Sequence, residues 1–318
     1  MKDGLYTIGE FAALLGVSKA VIYKWEKEGK IQKARRIKRG KTMYRFYTTE
    51  DIREARIKMN LQAPLARKRK QLFLNFKGGT GKSVISANYG YRLGQHGYRI
   101  LMVDLDPQGH LTKCLGCNPE SFSKTLYGVI VNKDPIQSAI VSTNLSTLDI
   151  IPANLGLSPI ELSLTNLHAR EYKLRRAIAD IEDAYDIIIL DAPPNIGLLT
   201  LNAILSVDDL LVPVLADFLS YDGLKILFET LRDIEDDFDY VLKNIYIFLN
   251  RFNESMNISL RSRDAIRKNY SEFVCDTVVR QNTTLSDATA HGKSIFEFAP
   301  NSRAAKDINK LVNEIFNI

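Results

Sequence analysis

Apolar runs at Leu72–Phe76, Ile100–Val103, Ile187–Leu190, Leu210–Leu215 and Ile245–Leu249 carry no polar alternation. That is the pattern of strands covered on both faces. Stretches with helical spacing lie between or after them, near residues 83–95, 159–184, 197–206, 221–236, 259–270 and 304–316. Strand alternating with helix predicts an α/β fold built on a doubly wound, mostly parallel sheet, with ligands held at the carboxyl ends of its strands.

The first 58 residues follow a different pattern. Thr7 and Glu10 form a capping box for a short helix, Gly16-Val17 turns the chain, and Ser18 caps a second helix running from Lys19 to Glu28 and closed by Gly29. Ile8, Phe11, Leu15, Val17, Ile22 and Trp25 supply a small helix-turn-helix core. Ser18, Lys19, Tyr23, Lys24 and Lys27 are left to face a nucleic-acid groove, while Arg35, Arg36, Lys38, Arg39 and Lys41 decorate a β-hairpin around Gly40. A basic surface used for protein contacts is the plainer alternative.

Three segments follow: a helix-turn-helix unit at 1–58, a linker at 59–70 containing Pro64 and the run Arg67-Lys68-Arg69-Lys70, and a nucleotide domain at 71–318. Charge sharpens this division. Residues 1–70 hold 19 Lys/Arg against 7 Asp/Glu, so a net +12 stands ahead of a body of −6 within an overall +6. Such asymmetry points to a nucleic-acid-binding module on a near-neutral or acidic body. No apolar stretch reaches the ~18 residues of a membrane span, and no signal peptide is visible, so a cytoplasmic protein is expected. Cys114, Cys117 and Cys275 are too few for a disulfide framework, and Cys114 and Cys117 read as small buried apolar residues.

The chemistry centres on Lys77-Gly78-Gly79-Thr80-Gly81-Lys82-Ser83, which follows the first apolar run and opens a helix. Its glycines let backbone N–H groups surround an anion, and the helix N-terminus adds positive potential. Lys82 reaches β- and γ-phosphates, and the Ser83 hydroxyl joins a Mg²⁺ shell. Phe76 stands where the ordinary loop has glycine, and Lys77 is a surplus cation at the loop entrance, placed to face a nucleotide on another subunit. The motif resembles that of the deviant-Walker ATPases, the group of ParA, Soj and MinD. The resemblance implies ATP and Mg²⁺ as cofactors and a sandwich homodimer in which Lys77 reaches the partner's nucleotide while Lys82 serves its own.

Asp104 and Asp106 end the second apolar run in Asp104-Leu-Asp106-Pro-Gln-Gly, and Asp191 ends the third in Asp191-Ala-Pro-Pro. By the same resemblance Asp106 orients the attacking water, Asp104 supports the Mg²⁺ region and Asp191 is the metal residue. Asn250-Arg251, at a later strand end, is a weaker candidate for adenine contact, with a polar strand cap equally in view. The segment from Asp276 to Lys293 is similar to that of ParA and Soj proteins. Ser255 and Thr284 stand where such proteins commonly carry DNA-binding arginines, so Arg261, Arg263, Arg267, Lys268 and Arg280 are the substitute candidates for nonspecific DNA contact.

The N-terminal unit resembles the MerR and excisionase winged-helix family through Ile8–Ser18, Ile22–Gly29 and Arg45–Ile52. Together the resemblances imply a DNA-partition ATPase with a ParB-like centromere-binding partner and operator binding through the N-terminal unit. A nucleotide-responsive transcriptional repressor is the alternative. The final helix, with Ile308, Leu311, Val312, Ile315 and Phe316 on one stripe, is expected to pack on the sheet rather than on a membrane.

Overall fold

The computed structural model describes residues 4–39, 42–61, 68–217 and 219–317. The N-terminal unit contains β1 (Leu5–Tyr6), α1 (Ile8–Leu15), α2 (Lys19–Lys27), β2 (Arg35–Arg39), β3 (Thr42–Thr48) and α3 (Thr49–Met59). Thr7 and Glu10 close a capping box on α1, Gly16 ends it in the left-handed region at φ 70°, and Ser18 caps α2. The three strands pair antiparallel in the order β1-β3-β2. Phe11 stacks on Tyr47 with ring centroids 3.9 Å apart, and Ile22, Ile52 and Leu15 complete the core beneath them. Glu26 is buried at its edge, where it accepts hydrogen bonds from the Ala34 N–H, Arg45 and the Tyr47 hydroxyl. Those three donors offset the cost of burying a carboxylate and hold α2 against the hairpin.

The body begins with β4 (Arg69–Phe73), α4 (Lys82–Gln95), β5 (Ile100–Asp104) and α5 (His110–Cys114), followed by β6 (Val141–Ser142), β7 (Leu148–Ile151), α6 (Ile160–Thr165) and α7 (Lys173–Ala179). Next come β8 (Ile187–Asp191), α8 (Leu198–Ile204), β9 (Asp209–Leu215), α9 (Leu219–Phe238), β10 (Asn244–Phe252) and α10 (Asn257–Asn269). The chain closes with β11 (Val279–Arg280), α11 (Thr283–Ala290), α12 (Ile295–Phe298) and α13 (Arg303–Phe316). Eight strands form one sheet in the order β11-β10-β9-β4-β8-β5-β7-β6, parallel except for the β6–β7 pair. This is the doubly wound sheet the apolar runs predict. Alternate residues of β8 serve opposite layers: Ile187 and Ile189 pack with α4 and α13, Ile188 and Leu190 with α6 to α9.

Several boundaries differ from the sequence reading. The first strand starts at Arg69, so Arg69 and Lys70 belong to the sheet rather than to a tether. Arg69 reaches Asp209 at 2.7 Å and the Tyr246 hydroxyl at 3.0 Å, and Lys70 reaches Glu182 at 2.8 Å. Lys68 pairs with Asp183, whereas Arg67 and Pro64 lie outside the described residues. The stretch expected as one helix over 159–184 is broken into α6, α7 and short 3-10 turns, with Ala169 at φ 49° between them. The strand Leu148–Ile151 has no counterpart in the apolar runs. It pairs with β5, and its Asp149 accepts from the Tyr185 hydroxyl at 3.0 Å.

Candidate nucleotide site and DNA interface

β4 lies between β8 and β9, where the sheet changes direction of growth, so the loop after it opens at the topological switch point. Gly79 at φ 73° and Gly81 at φ 86° take the left-handed backbone that the phosphate cradle needs. Lys82 begins α4, and its ammonium is buried inside its own loop, donating to the carbonyls of Asn75 at 3.0 Å and Lys77 at 3.4 Å. Burial lowers its pKa, while Asp191 and Asp106 oppose that effect. Gly78 and Gly79 are exposed at the mouth; Thr80 is buried, and its hydroxyl has no hydrogen-bond partner.

Asp104 and Asp191 are register partners on adjacent strands and both are fully buried. Asp104 is engaged by three protein donors, accepting from the Thr112 N–H at 2.9 Å, the Thr112 hydroxyl at 2.7 Å and the Asp106 N–H at 3.1 Å. It therefore organises the loop and α5 from behind, tying the end of β5 to Thr112 and Asp106. Burial raises its carboxyl to about 6. Asp191 is different. One oxygen accepts from the Ser86 hydroxyl at 3.2 Å and the other is buried with no partner. Burial first, and the Asp104 charge second, push it up to about 8, partly offset by the Ser83 hydroxyl and Lys82.

An orphaned carboxylate oxygen beside the Ser83 hydroxyl is a donor set that fits Mg²⁺, a hard cation that favours oxygen. No cluster of three acidic, His or Cys side chains suited to a metal occurs among the described residues. A cation here would complete its shell from phosphate and water, as Mg²⁺ commonly does. Asp106 lies half-exposed past the strand, its Oδ1 accepting from the Gln108 N–H at 2.9 Å. It thus stands at the cradle's rim, free to turn toward a water.

Lys77 does not point away from its own subunit. Its ammonium contacts both oxygens of Asp217, at 2.9 and 2.8 Å, and the Ser220 hydroxyl at 3.4 Å. Burial alone would raise the Asp217 carboxyl, but Lys77 and Ser220 outweigh it and hold the group below its usual value. Asp217 follows β9 with no motif to mark it, which is why the sequence reading passed over it. Asn250 is also corrected. It is buried, and its amide donates to the Thr80 carbonyl at 2.7 Å, bracing the phosphate loop instead of standing free for adenine. Arg251 is exposed at φ 51°. A cleft of about 480 Å³ opens nearby, between Phe252–Ser255 and Arg280–Thr283.

The DNA candidates separate by their partners. Lys19, Tyr23, Lys24 and Lys27 are exposed along α2 next to its cap Ser18, and Arg35, Arg36 and Lys38 are exposed on the hairpin. Lys24 and Arg35 make only loose pairs, with Glu28 at 3.9 Å and Asp51 at 3.6 Å. Arg39 is described in its strand but not in its side chain, and Lys41 lies outside the described residues. On α10, Arg263 is paired with Asp264 at 2.9 Å and Arg267 with Asp276 at 3.3 Å, leaving Arg261 and Lys268 exposed and without an ion pair among the described residues. Arg280 is committed elsewhere. Its guanidinium forks onto the buried Asp307 of α13, with Nε 2.9 Å away, so it ties β11 to α13.

A glycine-rich loop at the switch point of a parallel sheet, with carboxylates on neighbouring strand ends, defines a P-loop nucleoside triphosphatase of the doubly wound class. Residues 69–247 match the family described as an AAA domain, and residues 6–63 match that of the MerR HTH family regulatory proteins. The chain is 44% identical over 269 residues to the cell division protein PomZ of Myxococcus xanthus, covering 85% of this chain and 84% of that one. It is 34% identical over 241 residues to the sporulation initiation inhibitor protein Soj of Bacillus subtilis, covering 76% and 95%. Among solved structures, an ATP complex of McdA from Cyanothece superposes with TM-score 0.71 at 20% identity, over 79% of this chain and 97% of that one, a likeness of fold. The chain belongs to the ParA/MinD-type ATPases, with a MerR-like helix-turn-helix at its N-terminus.

Proposed function

We propose that this protein is an ATP- and Mg²⁺-dependent partition ATPase that dimerises around nucleotide, binds DNA nonspecifically as a dimer and binds its operator through the N-terminal unit. The observation that carries this reading is the phosphate loop at the carboxyl ends of the strands, with Lys82 close enough to Asp106 and Asp191 to feel their charge and Lys77 at the loop entrance. The backbone N–H groups of 78–83 and the Lys82 ammonium hold the phosphates, and binding draws Lys82 off the Asn75 carbonyl. Mg²⁺, when bound beside Ser83 and Asp191, would neutralise charge building on the transferred phosphoryl group. Asp106 orients the attacking water. Lys77 leaves Asp217 to reach the partner's nucleotide, so the chemistry is complete only in the dimer. Positioning and charge neutralisation, without a strong base, account for slow turnover in the absence of a ParB-like partner.

Two solved relatives support the cofactor assignment: a cobyrinic acid a,c-diamide synthase from Mycobacterium smegmatis, with bound ADP and magnesium, is 29% identical with TM-score 0.65 over 71% of this chain and 91% of that one. The McdA complex carries ATP. The test is an ATPase and sedimentation series. Wild type should form ATP-dependent dimers and hydrolyse slowly, Lys82→Ala should lose nucleotide binding, and Lys77→Ala should bind ATP without hydrolysing it. Full hydrolysis by Lys77→Ala removes the sandwich mechanism. A second reading replaces the replicon with the division apparatus as cargo, favoured by the 44% identity to a protein named for cell division. Imaging a fluorescent fusion beside labelled origins and septa separates the two.

A further inference from the structure

α8 starts without a cap of its own. Its N-cap residue, Gly197, has no side chain to accept from the first N–H groups, which a helix leaves without an internal partner. The acceptor comes from α6 instead. Glu161 Oε2 accepts from the Leu198 N–H at 2.8 Å and Oε1 from the Leu199 N–H at 3.3 Å, so a carboxylate from a different helix closes the positive end of α8. Gly197 has an ordinary extended backbone at φ −148°, yet a Cβ there would collide with the Glu161 carboxylate. Glycine is needed here for the close approach of Glu161 and not for the turn.

What this contact holds is the loop that leaves the nucleotide site. Asp191 ends β8, the Ala192 N–H donates to the Phe73 carbonyl at 3.2 Å, and the exposed residues 194–196 then lead to Gly197. The loop is fastened to the sheet at one end and to Glu161 at the other. Glu161 is itself set by α6, whose Ile160 and Leu164 are buried in the core and whose Ser163 hydroxyl meets that of Tyr127 at 3.1 Å. The segment leading into α6 is tied to the neighbouring strand end as well: the Ala153 N–H donates to the Thr112 hydroxyl at 3.1 Å, and that hydroxyl donates to Asp104. A cap serving α8 alone could come from a Ser, Thr, Asn or Asp at position 197. A glycine there, with the carboxylate supplied by another element, makes the end of the Asp191 loop depend on α6.

We propose that Glu161 is a positioning residue for hydrolysis: by holding the start of α8 it fixes the path of residues 192–197, and with it the presentation of the Asp191 carboxylate to Mg²⁺. This rests on the reading of Asp191 as the metal residue. Glu161 acts through the loop and not by contact with nucleotide.

The test compares full-length wild type with Glu161→Ala and Gly197→Ala, following a fluorescent ATP analogue first in EDTA and then during titration with Mg²⁺, beside steady-state ATPase rates. Both variants should bind the analogue in EDTA as wild type does, need on the order of tenfold more Mg²⁺ to complete the fluorescence change, and lose kcat with little change in KM for ATP. Gly197→Ala keeps the carboxylate but displaces it, so the double variant should be no worse than Glu161→Ala alone. Glu161→Gln, which retains an acceptor oxygen, should recover part of the Mg²⁺ affinity. Wild-type Mg²⁺ dependence in both single variants overturns the proposal, as does a loss of Mg²⁺-free binding that tracks a fall in Tm, the mark of a cap serving stability alone. If Glu161→Ala does not fold, Gly197→Ala carries the test. Asp191→Asn is run alongside: should it also keep the wild-type Mg²⁺ requirement, the metal assignment fails and the proposal falls with it. An altered Asp191→Asn beside unaltered Glu161 and Gly197 variants overturns the positioning role alone.

Discussion

Lys77 and Asp191 show how the same residue can be legible in identity and illegible in state. The surplus lysine is plain in the motif, yet its resting partner Asp217 is brought to it by β9, from 140 positions away. An ion pair with Lys77 at 27% side-chain exposure carries a modest stabilisation, ~1 kcal/mol or less after solvent screening. Asp217→Asn should release the lysine and lower the protein concentration at which ATP-dependent dimers form in sedimentation velocity. A higher threshold would mean that Asp217 has a positive role in the dimer. Asp106→Ala should bind ATP and accumulate a stable dimer, and normal hydrolysis in that variant removes Asp106 from the chemistry.

Asp191 yields a pH prediction. Its folded-state carboxyl stands at about 8, above its ordinary value of 3.8, so the metal-free fold binds a proton that the unfolded chain has released. The stability tied to that proton is fully present below about 4 and is lost as pH rises toward about 8, by ~1.4 kcal/mol per unit at most. Asp191→Asn cannot ionise and should therefore raise the Tm of nucleotide-free protein at pH 7.5, with the gain fading toward pH 4, while abolishing Mg²⁺-dependent hydrolysis. A Tm difference independent of pH refutes the argument.

At the scale of elements, periodicity served where burial was two-sided. The runs in β5, β8, β9 and β10 were readable because four or more apolar residues in succession leave few alternatives. β7 escaped because it is four residues long and carries Asp149, and the span 159–184 misled because its apolar spacing continues through a break that Ala169 imposes with a positive φ. The phosphate loop was legible as a motif but its brace was not: a Cβ on Gly81 would collide with the Asn250 amide. Gly81→Ala combines that clash with a strained φ and should cost ~1 kcal/mol or more. Calorimetry should show weaker ATP binding together with a lower Tm. Unchanged affinity would mean that the loop tolerates displacement of Asn250.

Across the whole molecule, charge asymmetry between the first 70 residues and the rest points to a basic module, but a sum of charges does not say which are spent. Arg69 and Arg280 proved to be internal ties, and the pairing of Arg263 and Arg267 narrows the body's candidate patch to Arg261 and Lys268. Reversing those two to Glu should weaken ATP-dependent nonspecific duplex binding and flatten its salt dependence by a slope of about 2 per protomer. An unaltered slope discards the patch. Removing residues 1–58 should abolish operator binding and leave nonspecific binding in place; loss of both favours the pure repressor.

The N-terminal unit is also seated on the body. Arg53 donates to the Gly97 carbonyl at 3.0 Å, its backbone lying where a Gly97 Cβ would come within 2.9 Å, and pairs with Asp186, while Arg56 meets His96 at 2.9 Å. From Leu61 to Lys68 the chain has a maximum reach of roughly 25 Å, however it is arranged. A short connection of this kind holds the unit at an effective concentration on the order of millimolar. Contacts too weak to join two separate molecules then suffice to keep the seat filled. Detachment becomes an intramolecular step, rapidly reversed and insensitive to how much of the protein the cell contains.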